Sequence, residues 1–173
     1  HPGVRENALI LSEPFLRSSP RLQEQVRVLA DHPVARVRFQ AALSLGFAGP
    51  SMEQVQGKHL RRDYRYPWTR LAVWSSLRDG ETQLLTSLLD DAAFLKDAEA
   101  SKAETIRELS ELSAARALAS SNSLIPVLSR LANLPGALKD QWALPALEGL
   151  HAGLQRIPPG RMVGAAVSNS LQS

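Results

Sequence analysis

Residues 32–46 read His32-Pro33-Val34-Ala35-Arg36-Val37-Arg38-Phe39-Gln40-Ala41-Ala42-Leu43-Ser44-Leu45-Gly46. Pro33 is expected at the first helical position, where its missing N–H costs nothing and its φ is already helical. His32 before it is pushed to extended geometry, so the chain turns there. Val37, Ala41 and Leu45 follow at i, i+4 and i+8, which makes one buried helix face. Gly46 is placed to close the helix in a C′-like position. Two other stretches share this construction: His1-Pro2-Gly3-Val4-Arg5-Glu6-Asn7-Ala8-Leu9 and Tyr66-Pro67-Trp68-Thr69-Arg70-Leu71-Ala72-Val73-Trp74. Their expected buried stripes are Val4 and Ala8 in the first, and Thr69, Val73 and Leu77 in the second. Arg5, Arg38 and Arg70 fall 33 and 32 residues apart. A period in the thirties marks stacked helix pairs.

Partner helices are expected between and after these. Residues 20–31 start with Ser19 as N-cap and Pro20 at N1, and bury Leu22, Val26 and Leu29. Residues 51–62 start at Ser51 and bury Met52, Val55 and Leu60. Residues 81–90 carry Leu84, Leu85, Leu88 and Leu89. Residues 100–119 carry Ala103, Ile106, Leu109, Leu112 and Ala117. Residues 123–133 carry Leu124, Val127, Leu128 and Leu131, and residues 138–157 carry Leu138, Trp142, Leu147, Leu150 and Leu154. Pro126 sits in a first turn and is harmless, Pro14 interrupts the first pair, and Pro145 falls mid-pattern and should kink or restart its helix. Gly80, Gly136 and Pro158-Pro159-Gly160 punctuate the pieces. No period-2 alternation flanked by hairpin turns competes. The expectation is one all-α domain over 1–173, an α-α superhelix (solenoid) of about five helix pairs. Its residues 158–173 form an irregular C-terminal tail, a short helix followed by fraying.

Hydrophobic residues make up 44% of the 173 and charged residues 21%. That balance is ordinary for a globular domain and excludes a disordered chain. No stretch of 18 apolar residues is present, so membrane insertion is not expected. His1 to Arg5 do not form a signal peptide; they lie inside a repeat motif, so they read as the middle of a longer polypeptide. The absence of cysteine excludes disulfides, thiolate catalysis, Cys-ligated zinc, iron–sulfur clusters and covalent haem within the segment, and fits cytosol or periplasm alike. The net charge of +3 is uneven: residues 1–78 hold 12 Lys+Arg against 6 Asp+Glu, and residues 79–173 hold 8 against 11. A basic half beside an acidic half means either an anionic partner or pairing between successive repeats.

Residues 32–46 and the opening His-Pro-Gly-Val-Arg-Glu-Asn-Ala-Leu resemble the first helix of a HEAT-type repeat. With Trp68-Thr69-Arg70-Leu71-Ala72-Val73-Trp74-Ser75-Ser76-Leu77 and Ala146-Leu147-Glu148-Gly149-Leu150-His151-Ala152-Gly153-Leu154, most of residues 1–157 resembles a particular family. It is the HEAT-repeat region of large multidomain, membrane-bound dehydrogenase/cytochrome c proteins of planctomycetes and verrucomicrobia. There a sorbosone/glucose-dehydrogenase-like β-propeller precedes the repeats and a c-type cytochrome domain follows them. The resemblance implies an exported, periplasmic parent protein whose redox chemistry lies in the flanking domains. This segment has neither Cys-x-x-Cys-His nor propeller strands, so no catalytic residue carries over. It is expected to be a non-catalytic scaffold that links or docks those domains, without cofactor or metal.

Five groups of residues compete for a functional role. Lys58, Arg61, Arg62 and Arg65 recur at i, i+3, i+4 and i+7 and should share a helix face, with His59, Tyr64, Tyr66 and Trp68 interleaved. They offer a surface for an anion or a protein partner, with rings for stacking. The alternative is a solvated face paired with Asp63 and the acids of neighbouring helices. Arg5, Arg38 and Arg70 form an expected ladder, read as repeat-stacking residues whose heads find a carboxylate or helix-end carbonyl.

Among the tryptophans, Trp74 is expected in the core, and Trp68 and Trp142 part-buried. Trp68 with Asp63 and Arg70 would mimic the trio of HEAT-like alkylpurine DNA glycosylases, the alternative nucleic-acid reading, although the net charge is small for a duplex binder. A HEAT-like chromophore lyase would share the fold, but no residue asks for it. His1, His32, His59 and His151 lack ligand spacing, and His1 and His32 are expected as turn residues. Glu104, Glu108 and Glu111 form a solvated stripe partly paired with Arg107.

Overall fold

The computed structural model describes residues 1–49, 52–117 and 123–156. All described elements are helical: α1 (Pro2–Ser12), a 3-10 turn (Glu13–Phe15), α2 (Pro20–Ala30), α3 (Ala35–Leu45), α4 (Glu53–Asp63), α5 (Pro67–Ser76), α6 (Glu81–Leu89), α7 (Ala92–Leu95), α8 (Ala100–Ala117), α9 (Ile125–Ala132) and α10 (Gly136–Gln155). The chain divides into two compact units, one over His1–Gly80 and one from Glu81 onward. The expected tail at 158–173, the Pro158-Pro159-Gly160 break and the helix start at Ser51 lie outside the described residues.

In the first unit, alternate helices are neighbours: α1 packs on α3, α3 on α5, and α2 on α4. The cross-links give their direction. Glu6 of α1 pairs with Arg36 of α3 at 2.7 Å, and Glu13 just beyond α1 accepts from Ser44 near the end of α3 at 2.8 Å. Early residues meet early and late meet late, so α1 and α3 run parallel. Arg27 of α2 reaches Met52 at the start of α4, and Ala30 reaches His59, so α2 and α4 also run parallel. The core between them gathers Leu9, Leu16, Val26, Ala30, Val37, Ala41, Leu45, Ala48 and Met52, with Leu22, Leu29 and Val55 packed on its edge.

Local signals account for the helix starts. Ser19 accepts from the Leu22 N–H at 3.4 Å as an N-cap. His1 and His32 are turn residues: each Nδ1 accepts from the backbone N–H two residues on, at 3.2 and 3.1 Å. Pro2, Pro20 and Pro67 open their helices. Pro33 does not, because α3 begins at Ala35 after an extended Val34. Gly46 has a helical φ of −60°. Its role is space: a Cβ there would stand 2.9 Å from the Ser76 Cα of α5. Val4 and Ala8, expected in the core, are exposed, and Leu9 is the residue that α1 buries.

The second unit is built on α8 and α10, the longest helices. Gly149 lies against Arg107 and Ser110, and Gly153 against Glu111 and Ala114, so both helices advance together and run parallel. Glycine at these two positions is compulsory. A Cβ on either would stand inside the contact radius of a backbone oxygen of α8 and 2.8 Å from the Ser110 or Ala114 Cβ. The small residues let the backbones approach. Trp142 is fully buried rather than part-buried, and its indole N–H donates to the Leu95 carbonyl at 3.0 Å. Pro145 lies inside α10 without restarting it; the buried face Trp142, Ala146, Gly149, Leu150 and Gly153 continues across the missing hydrogen bond. Leu147, expected in the core, is exposed. The α6 leucines 84, 85, 88 and 89 are all buried, as their spacing predicts. Pro126 sits harmlessly in the first turn of α9.

Candidate functional site

The α4–α5 corner of the first unit sorts its polar residues into a buried set and an exposed set. Each turn of α4 carries one inward polar residue: Gln56, His59 and Asp63 are all buried. A buried carboxylate is costly unless paired and hydrogen-bonded. Asp63 is matched by Arg38 of α3, which forks onto both its oxygens at 2.6 and 2.8 Å. The third guanidinium nitrogen donates to the His32 and Pro33 carbonyls, each at 2.9 Å, where the chain turns into α3. The hydrogen bonds to Asp63 raise the Arg38 pKa above the ordinary arginine value and keep it charged despite its burial.

Arg70 of α5 repeats the carbonyl half of this device, donating to the Tyr64 carbonyl at 2.9 Å from a buried position. The carbonyl lies six residues before the arginine in both cases, so the guanidinium pins the turn that leads into its own helix. Arg5 does not share this environment and is exposed.

His59 is enclosed between α2 and α4. Its Nδ1 lies 3.3 Å from the Ala30 carbonyl, which only accepts, so Nδ1 carries the proton. Nε2 is buried without a hydrogen-bond partner and stands 3.9 Å from Asp63 Oδ2. Burial is the main cause that holds the His59 pKa below its ordinary value, outweighing the nearby carboxylate. Gln56 completes the buried set by donating to Ser76 Oγ at 2.7 Å.

The exposed set differs from the expected four-residue face. α4 ends at Asp63, so Arg65 lies beyond the helix and stacks over the Tyr64 ring at 4.9 Å. Lys58 pairs with Asp31 at the end of α2, and Arg62 donates to the Asp31 carbonyl at 3.2 Å. Arg61 is half-buried. The basic residues of α4 thus also tie α2 to α4. Past the helix, Pro67 holds Tyr66 extended and turns its ring outward. The inward positions of α5 go to Thr69, Arg70, Ala72, Val73 and Ser76, which leaves Trp68 and Leu71 outside. Trp68 is 72% exposed and Tyr66 58%. Trp68 is therefore far more open, and Trp74 only half-buried, than their patterns suggested.

Trp68, Asp63 and Arg70 do not line one surface, because the second and third are buried. No group of three His, Asp or Glu able to hold a metal occurs among the described residues. Glu111, of the expected solvated stripe, is half-buried and pairs with Arg107 at 3.5 Å and with Arg156. The sequence predicts a carboxylate or helix-end carbonyl for the Arg38 head, and Arg38 finds both; what the sequence does not single out is which carboxylate, since Asp63 lies 25 positions on, its one signal being its place on the same helical stripe as Gln56 and His59. Comparison with family models finds no match, and none is found among curated proteins or solved structures.

Proposed function

We propose that the chain is a non-catalytic repeat scaffold of the HEAT-like, α-α superhelical type, and that its docking surface is the Tyr66–Trp68 corner with Arg65 and Leu71 beside it. Within each unit, the parallel packing of alternate helices supports the repeat reading. The single observation that carries the docking reading is the exposure of Trp68 and Tyr66 beside a corner whose buried charges are already matched. Large aromatic side chains on a rigid turn are what partners bury, and Tyr, Trp and Arg dominate the energetics of interfaces. The surrounding positive charge selects an acidic protein segment with an apolar residue for the rings. A segment of a flanking redox domain in an exported, periplasmic parent would suit this role.

The test is a fluorescence titration with a synthetic acidic peptide, glutamate-rich with one leucine and one tyrosine. We expect quenching or a blue shift of the Trp68 emission, abolished by Tyr66→Ala and weakened by Arg65→Ala. No response at low salt would sink the docking reading. Salt-sensitive binding of duplex DNA with no response to the peptide would favour the nucleic-acid reading instead.

A further inference from the structure

One face of α1 is apolar, regular and uncovered. Val4, Ala8, Leu11 and Phe15 follow at i, i+4, i+7 and i+11, which places them along one side of the helix and its 3-10 extension. All four are exposed, Val4 at 67%, Leu11 at 73% and Phe15 at 59%. The repeat register says what such a face is for. Advancing by the 33 residues that separate Arg5 from Arg38 lands on Val37, Ala41, Ser44 and Ala48. All four of those are buried. Advancing by the 65 residues that separate Arg5 from Arg70 lands on Thr69, Val73, Ser76 and Gly80, and these are buried too.

The cover over the second set is known. Val37, Ala41 and Ala48 share one core with Leu9 of α1, Leu16, and Val26 and Ala30 of α2, while Ser44 donates to Glu13 at the end of α1. The face is thus the one with which each first helix receives the helix pair before it.

We propose that the Val4–Ala8–Leu11–Phe15 face is a repeat-stacking interface, covered by a further helix pair of the same kind carried in the same polypeptide ahead of α1. The first helix of that pair runs parallel to α1, and its second helix sets apolar residues onto Val4 and Ala8 as α2 does onto Val37 and Ala41. The apolar character of Leu11 and Phe15, where the inner repeats hold Ser44 and Ala48, calls for small side chains opposite them, as close packing requires. This inference rests on the repeat reading of α1, α3 and α5 and not on the aromatic corner. A failed peptide titration leaves it standing.

The test compares the 173-residue chain with the same chain extended upstream by about 35 residues of its own encoded sequence, one repeat period. Hydrogen exchange is read on α1, and Leu11→Asp and Phe15→Asp are made in both. Both side chains are open in the shorter chain, so the substitutions there should leave its melting temperature unchanged within about 1 °C, well under the shift that 1 kcal/mol produces. In the extended chain, α1 amides should exchange at least about ten-fold more slowly, and each substitution should lower the melting temperature by about 4 °C or more. Unchanged exchange and silent substitutions in the extended chain would overturn the proposal. So would a dimer of the shorter chain that Leu11→Asp dissolves, which would make a second copy the occupant.

Discussion

The two units solve one packing problem in different ways. Both set helices side by side and parallel. The first does it with short helices joined by polar cross-ties: Arg36 to Glu6, Ser44 to Glu13, Arg38 to Asp63, Gln56 to Ser76 and His59 to the Ala30 carbonyl. The second does it with two long helices brought to backbone contact by Gly149 and Gly153. Among the described residues, Arg130 pairs with Asp90 at the surface at 3.1 Å, the half-buried Glu111 with Arg107 and Arg156, and the buried Glu81 with Arg116. A polar tie fixes register by matching specific atoms, whereas a glycine contact fixes it by leaving room at one place only. The first unit should therefore be sensitive to loss of a charge and the second to gain of a methyl group.

The largest expected effect follows from that contrast. Gly149→Val and Gly153→Val put side chains where α8 backbone oxygens stand. They should cost about 3 kcal/mol or more, at or beyond the upper end of ordinary overpacking. Emission from Trp142, isolated by Trp68→Phe and Trp74→Phe, should shift to the red in both. Retention of a buried Trp142 signal with an unchanged melt would break the glycine half of the comparison.

Asp63→Ala should come next. It leaves the Arg38 guanidinium buried without its carboxylate and should cost about 3 kcal/mol, the lower end of what a broken buried pair loses, because the His32 and Pro33 carbonyls still accept from it. The double change Arg38→Met with Asp63→Leu removes both charges and should recover most of the loss, since well-packed apolar replacements of buried pairs are often neutral. If denaturant melts show the double variant as weak as the single one, the pair is held for packing rather than for charge.

His59 sharpens the same contrast through pH. Its folded pKa is lowered by burial, so below the ordinary histidine value the unfolded chain binds the proton and the folded chain resists it. Its contribution to stability is complete above about pH 6.5 and falls as pH drops below that value. Denaturant midpoints of the parent should decline between about pH 6.5 and 5, and His59→Gln should flatten that decline. Equal slopes would show that His59 does not set the decline.

The smallest effect belongs to the surface. Lys58→Ala breaks a pair with Asp31 in which both partners are substantially exposed, and should change stability by about 0–1 kcal/mol.

The helices were legible because their signals are local. The proline starts at Pro2, Pro20 and Pro67, the Ser19 cap and the leucines of α6 need no partner to be read. What stayed hidden depends on distant residues. Val4 and Ala8 carry the same pattern as Val37 and Ala41, but a pattern shows which face is apolar and not whether anything covers it. Trp68 and Trp142 could not be ranked by spacing alone, because one follows a proline turn outward and the other meets the Leu95 carbonyl 47 residues away. The basic residues near Tyr66 were visible as a cluster. Which of them tie α2 to α4 was not, because that turns on where α4 ends and where Asp31 lies.

On the proposed function, the buried charges of the α4–α5 corner hold the fold while its exposed rings meet a partner. The direct measurement is a pair of variants, Asp63→Asn and the double Tyr66→Ala, Trp68→Ala, each melted in denaturant and each titrated with the acidic peptide by calorimetry. Asp63→Asn should lose stability and keep its peptide affinity at temperatures where it is folded, and the double variant should keep stability and lose binding. A double variant that melts early yet still binds, or an Asp63→Asn protein of full stability that no longer binds, would contradict that proposal.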